Sequence, residues 1–164
     1  MAIEGIVQPE ILKINDTLRL RKFDGIYDFA FDWYQDEETV YLVDGVRKKY
    51  SQETLKCMYE YLDKQGELYF IEVLEDDAFK PIGDVTFWQN DMPIVIGEKA
   101  YRGKEIAKQV IGALIKRGKS LGYTNLYVNE IYEFNLASRK CFESMGFEAC
   151  AKTEKGNKFV LRIF

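Results

Sequence analysis

The chain has 164 residues, 47% of them apolar, 15% aromatic and 30% charged, which fits one domain, spanning 1–164, and excludes a disordered chain. No apolar run approaches the roughly 20 residues of a membrane span. With no histidine, Ser-His-Asp, Cys-His and His-metal chemistry are excluded, and a net charge of −4 from 23 bases and 27 acids argues against a general nucleic-acid binder.

In chain order, Thr17–Arg21 alternates as a strand, and a helix is expected where Ile26, Phe29, Ala30, Trp33 and Tyr34 recur at helical spacing. Asp24, Asp28, Asp32 and Asp36 stripe its other side. Ser51 caps a second helix through Lys64, closed by Gly66. Residues 68–74, 81–88 and 92–97 read as an antiparallel meander turning at Glu75-Asp76-Asp77 and at Gln89-Asn90-Asp91. Ile106, Val110, Leu114 and Leu121 mark a long helix to Gly122, and 126–131 a strand, so this strand–helix–strand predicts a parallel crossover. Asn135 caps a helix to Met145, and a final hairpin joins 147–152 to 158–164. The expected fold is α/β (α+β), a mixed, mostly antiparallel central sheet with helices on both faces.

Charge is placed unevenly. Residues 24–46 carry seven acids and no base, whereas 99–119 carry seven bases and one acid, Glu105. One region suits a cation, another an anion. Cys57, Cys141 and Cys150 resemble neither a disulfide framework nor a zinc site, no secretory signal is visible, and a cytoplasmic protein is expected.

The basic, glycine-bearing loop Gly97–Lys108 lies between a strand and a helix N-terminus, where unpaired N–H groups and the dipole suit phosphate oxygens. Arg102, Lys104 and Lys108 would add charge. It is neither a Walker loop nor a dinucleotide fingerprint. About one helix and one strand later comes Asn135-Leu136-Ala137-Ser138-Arg139-Lys140-Cys141-Phe142-Glu143-Ser144-Met145-Gly146-Phe147. Together the two segments resemble the GNAT superfamily of N-acetyltransferases. Arg102, Gly103, Lys104, Glu105, Ile106 and Ala107 match its Q/R-x-x-G-x-G/A loop, and Asn135 to Phe147 match N-x-x-[AS]-x-x-x-[YF]-x-x-x-G-F. Pro81-Ile82-Gly83 and Ile96-Gly97-Glu98 are phrases of the bacterial branch that is similar to ribosomal-protein N-terminal and aminoglycoside acetyltransferases.

The resemblance implies acetyl-CoA as co-substrate and no metal. Backbone groups of Ile94, Val95 and Ile96 would pair with the pantetheine, amides of 102–107 would hold the pyrophosphate, Asn135 would bond the pantetheine, and Ser138 or Arg139 would reach its outer portion. Asn135 as a plain N-cap is compatible with that role. Two positions depart from the pattern. Glu105 replaces a usual glycine, at a cost of roughly 1–2 kcal/mol if φ is positive there, with a helical backbone and a solvent-facing carboxylate as the expected outcome. Phe142 replaces a tyrosine thought to protonate the leaving thiolate.

Glu130, five residues before Asn135, is the candidate base, against the competing reading that it pairs with a loop cation; Asp84, Asp91 and Glu98 are weaker alternatives. Tyr27, Trp33, Tyr34, Tyr41 and the seven acids fall where family members build the acceptor pocket, a composition suited to an amine cation; a solvated helix face explains the Asp stripe just as well. The expected function is acetyl transfer to a small amine or peptide N-terminus by direct attack in a ternary complex. Two rivals are a catalytically silent acyl-CoA sensor and an unrelated nucleotide-binding domain. The oligomeric state is left open, a homodimer included.

Overall fold

The computed structural model describes residues 2–164, which divide into two compact units: the chain through Trp88 with Ile94–Arg102, and Gln89–Pro93 with Gly103–Phe164. No helix among the described residues is long and apolar enough to cross a membrane.

In the first unit, strands β1 (Ile11–Lys13), β2 (Leu18–Lys22), β3 (Glu67–Glu75), β4 (Ala78–Phe87) and β5 (Ile94–Ile96) form an antiparallel sheet in chain order. The β3–β4 turn places Asp76 and Asp77 at φ 50° and 63°, short polar residues that tolerate that region. Between β2 and β3 lie a 3-10 helix (Asp28–Gln35), α1 (Glu37–Asp44) and α2 (Gln52–Gln65). Ser51 accepts the Thr54 N–H as the α2 cap. The α2 face Leu55, Tyr59 and Leu62 joins Ala30, Trp33, Tyr34, Val40, Tyr50, Leu68 and Phe70 in one core.

The region 26–36 differs from expectation. It forms a 3-10 turn that stops at Asp36, whose backbone is extended (ψ 116°) and whose carboxylate accepts the Thr39 N–H to start a separate helix, α1. Asp36 is therefore a cap, and the Asp stripe had masked the Asp-x-x-Thr signal. β1 was also unforeseen, being three residues long, and the third meander strand shortens to β5.

In the second unit, α3 (Ile106–Ser120), β6 (Asn125–Tyr132), α4 (Leu136–Ser144), β7 (Glu148–Lys152) and β8 (Gly156–Arg162) surround a core of Val110, Ile111, Leu114, Leu126, Val128, Ile131, Phe142, Phe147 and Phe159. Its sheet has the order β6-β8-β7. The expected parallel pairing of β6 with the strand before α3 is not found among the described strands. β6 pairs antiparallel with β8 in a sheet of its own, and every pairing among the described strands is antiparallel. The segment 89–93 runs with β6, since Tyr127 N–H donates to the Gln89 carbonyl (2.9 Å) and Asn129 N–H to Asp91 Oδ1 (3.0 Å).

Candidate functional site

In the first unit the site grows from the end of β5. The N–H groups of Gly97 and Glu98 both donate to the Ile82 carbonyl (2.8 and 3.0 Å). Ile82 and Gly97 are thus a hydrogen-bonded pair, and so, two residues on, are Asp84 and Val95. Backbone groups of Ile94 and Ile96 therefore point to the outer edge of this sheet.

Gly97 lies under the Trp33 indole, where an added Cβ would sit 2.3 Å from ring carbons. Trp33 Nε1 donates to Glu98 Oε1 (3.2 Å), and Phe29 packs on the indole with centroids 5.6 Å apart. Around this group opens a cavity of about 520 Å³, lined by Phe29, Asp32, Trp33, Asp36, Glu98 and Lys99 among others. Carboxylates and aromatic rings lining one cavity suit a cation. Of the sequence-derived acceptor aromatics only Trp33 lines it. Tyr27 stacks on Phe23, Tyr41 carries the Arg47 guanidinium, and Tyr34 turns into the core.

Asp36 stands at the rim. Its Oδ2 accepts the Thr39 N–H (3.0 Å) and hydroxyl (2.7 Å), and Lys99 Nζ lies 3.0 Å from Oδ1. The Thr39 hydroxyl first, then Lys99, lower its pKa to about 2. Arg102, expected to add charge for phosphate, instead donates Nε to the Ile96 carbonyl (2.9 Å) and Nη2 to Thr39 Oγ1 (2.7 Å). Thr39 carried no functional signal in the sequence beyond its cap spacing from Asp36.

On β4, Asp84 is buried and its Oδ2 accepts both the Tyr34 (2.7 Å) and Tyr59 (2.8 Å) hydroxyls. Burial pushes its pKa up to about 6 against the opposing hydroxyls, and burial raises both tyrosines too. No sequence signal joins these three residues, which come from three elements.

In the second unit, Gly103 (φ 74°) and Glu105 (φ 61°, ψ 18°) bend the loop into α3. Glu105 is left-handed, not helical as expected, because the helix starts only at Ile106; its side chain is exposed, as expected, and so is Lys104. The first-turn amides of α3 stand at its N-terminus, with Ile106 buried and Ala107 half-buried. Asn135 Oδ1 accepts the Ser138 N–H (3.2 Å) as the α4 cap. Arg139 Nε lies 3.3 Å from Glu143 Oε1, and the Phe142 ring packs edge-on against Phe147 in the core.

Glu130 Oε2 accepts the Lys155 N–H (2.9 Å), and the Thr153 hydroxyl, the largest cause, holds its carboxyl below the usual range. Asp91 Oδ1 accepts the Met92 N–H (2.9 Å) and the Asn129 N–H, which makes it a fastener of the 89–93 turn; burial raises its pKa. Of the four carboxylates weighed as bases, Glu98 is the one that lines the cavity.

A family model described as "Acetyltransferase (GNAT) family" matches residues 27–147. A curated relative, the uncharacterized protein MJ1062 of Methanocaldococcus jannaschii, is 34% identical over 104 residues, which are 60% of this chain; the chain spans only 21% of that relative's length. Among solved structures, a domain from Methanocaldococcus jannaschii superposes with TM-score 0.78 at 20% identity, covering 90% of this chain and 99% of that one. RimL, the ribosomal L7/L12 alpha-N-protein acetyltransferase solved with coenzyme A, gives 0.72 at 16% identity, covering 93% and 98%. The aminoglycoside acetyltransferase AAC(6')-Ib with coenzyme A gives 0.68 at 15%, covering 89% and 94%. At these identities the structures share the fold, and the expected resemblance is borne out at the level of the family.

Proposed function

The chain belongs to the acetyltransferase (GNAT) family, and from that premise we propose that it is an acetyl-CoA-dependent N-acetyltransferase acting on a primary amine by direct attack in a ternary complex. The observation that carries the reading is the cavity beside β5, which Glu98 and Asp32 line together with Phe29 and Trp33. An amine arrives as a cation, and this lining attracts it.

The chain's own groups fit the co-substrate. Ile94 and Ile96 present backbone groups on the outer edge of the first sheet, with Val95 between them, for the amide-bearing pantetheine arm. Amides of Gly103, Lys104, Glu105, Ile106 and Ala107 lead into the α3 N-terminus and suit the pyrophosphate. Arg102 holds the strand end rather than the phosphate. Asn135 uses its oxygen as a helix cap, which leaves its side-chain NH₂ to donate to the pantetheine, and Ser138 and the exposed Arg139 serve the outer portion. Acetyl-CoA supplies a thioester carbonyl for the amine to attack, and its thiolate leaves without help from Phe142. An unperturbed thiol pKa near 8.5 makes that tolerable.

The amine must lose a proton, and Glu130, acting through water, is the proposed acceptor. Held below the usual range by Thr153 and Lys155, it is a weak base, so its contribution belongs at the low end of the usual span. Glu130→Gln should lower kcat/KM by about 10²-fold, with acetyl-CoA affinity unchanged and the loss shrinking as pH rises. A lower melting temperature at an unchanged rate would return the role to Glu98.

The acceptors of the two named neighbours, a protein N-terminus and an aminoglycoside, define the first amine panel. Release of free thiol from acetyl-CoA with any of them supports the reading. Binding of acetyl-CoA without turnover across the panel would favour the sensor. No rise in melting temperature at about 100 Kd of acetyl-CoA, where linkage predicts roughly 2.7 kcal/mol, would overturn both.

A further inference from the structure

We propose that Thr39 is a positioning residue that couples the acceptor cavity to the β5 edge proposed for the pantetheine, through a chain running from the Ile96 carbonyl by way of Arg102, Thr39 and Asp36 to Lys99. The proposal rests on the acetyltransferase reading for what occupies the two ends. The chain itself rests on geometry.

Thr39 is 2% exposed, and its one hydroxyl serves two charged partners, Asp36 Oδ2 at 2.7 Å and Arg102 Nη2 at 2.7 Å. The polarity of this link is dictated by chemistry. A guanidinium has no acceptor and an ionised carboxylate no donor, so Thr39 must accept from Arg102 and donate to Asp36. With its single proton committed, the hydroxyl cannot satisfy both partners in any other arrangement, and buried as it is, no solvent competes for it.

Each end of the chain touches one half of the proposed reaction. Asp36 and its partner Lys99 line the cavity. Arg102 is the first residue of the 102–107 motif, and its second bond, to Ile96, fixes the end of β5. Between Ile96 and Arg102 run six residue steps that include Gly97 and Glu98. Arg102 therefore closes this stretch into a loop whose open side is pinned to the first turn of α1. With the stretch already held, a cation settled against Glu98 and a pantetheine paired along β5 both bind without having to order it, and both should lose affinity together when the Thr39 link is cut. Lysine could not replace Arg102, because the fork that reaches both acceptors is a property of the guanidinium.

Thr39→Val keeps the shape and removes the hydroxyl; Thr39→Ser keeps the hydroxyl. In the Val variant, KM should rise by about tenfold for both acetyl-CoA and amine, the worth of one hydrogen bond to a charged group. Its kcat should stay within about threefold of the parent, since no reacting atom is touched. The Ser variant should match the parent. Hydrogen exchange in the ligand-free protein should quicken at amides 97–104 in the Val variant only. Arg102→Lys should reproduce the Val pattern and guards against a Val variant that fails to fold.

Unchanged KM values with unchanged exchange, or equal losses in Val and Ser, would overturn the proposal. If the parent binds acetyl-CoA but turns over no amine, the transferase reading fails separately. The calorimetric Kd for acetyl-CoA then replaces KM, and an unchanged value in the Val variant overturns the coupling.

Discussion

The two units would bear the proposed function in opposite ways. The second offers chiefly backbone: amides at the start of α3, a loop bent by positive φ at Gly103 and Glu105, and a capping asparagine. The first offers side chains gathered from distant positions, such as Trp33 with Glu98 and Tyr34 with Tyr59 on Asp84. A backbone site is written in short local spacing, because glycines and caps must fall at fixed offsets along one segment. A side-chain site is written nowhere locally, because its members meet only when a sheet and two helices have packed. The family resemblance lay mostly in the locally spaced segments of the second unit, while the features proposed to choose the acceptor belong to the first.

The sharpest way to break this contrast is at Asp84. Replacing it with leucine strands two buried hydroxyls and should destabilise the protein by about 2–6 kcal/mol, at 1–3 for each, read as a lower denaturation midpoint. The milder Asp84→Asn tests its titration. A carboxyl whose folded pKa is raised to about 6 from near 3.8 binds its proton more tightly when folded. Its contribution is full below about pH 4 and is lost as pH rises through 6, by up to about 3 kcal/mol. Subtracting the Asn variant from the parent should isolate that falling slope between pH 4 and 6. A flat difference would mean that Asp84 is not the titrating group. Asp36 works in the reverse sense, since its folded pKa is lowered to about 2; its contribution is present above about pH 4 and lost only as pH falls towards 2, so the two windows do not overlap.

Gly97→Ala addresses the cavity. Its Cβ would fall 2.3 Å from the Trp33 ring, so the indole must shift, at about 1–3 kcal/mol. The acceptor KM should rise while the acetyl-CoA Kd stays near the parent value. Equal loss of both would place Gly97 in the cofactor's territory instead.

The smallest effect is expected in the second unit. At φ 61° Glu105 pays for a conformation that glycine adopts freely, so Glu105→Gly should raise stability by up to about 1 kcal/mol. It should also hold or tighten acetyl-CoA binding by removing a carboxylate beside an anionic ligand. Tenfold weaker binding by calorimetry would assign Glu105 a positive role.

Much of this protein was legible in residue order alone. Ser51 and Asn135 announced α2 and α4, Ile106 to Leu121 announced α3, and the positions of the loop and of Asn135 carried the family, because caps and periodicity act within a few residues. Tertiary structure alone decided the rest. Asp36 looked like one member of an acidic stripe until the chain was seen to stop and restart there, with Thr39 completing its cap. Arg102 looked like a phosphate ligand until its guanidinium found the Ile96 carbonyl and the Thr39 hydroxyl. β6 looked like a parallel partner of the strand before α3, yet its hydrogen bonds went to β8, a choice between ladders that periodicity cannot express. In each case the local pattern admitted two outcomes, and partners that the pattern does not name selected one.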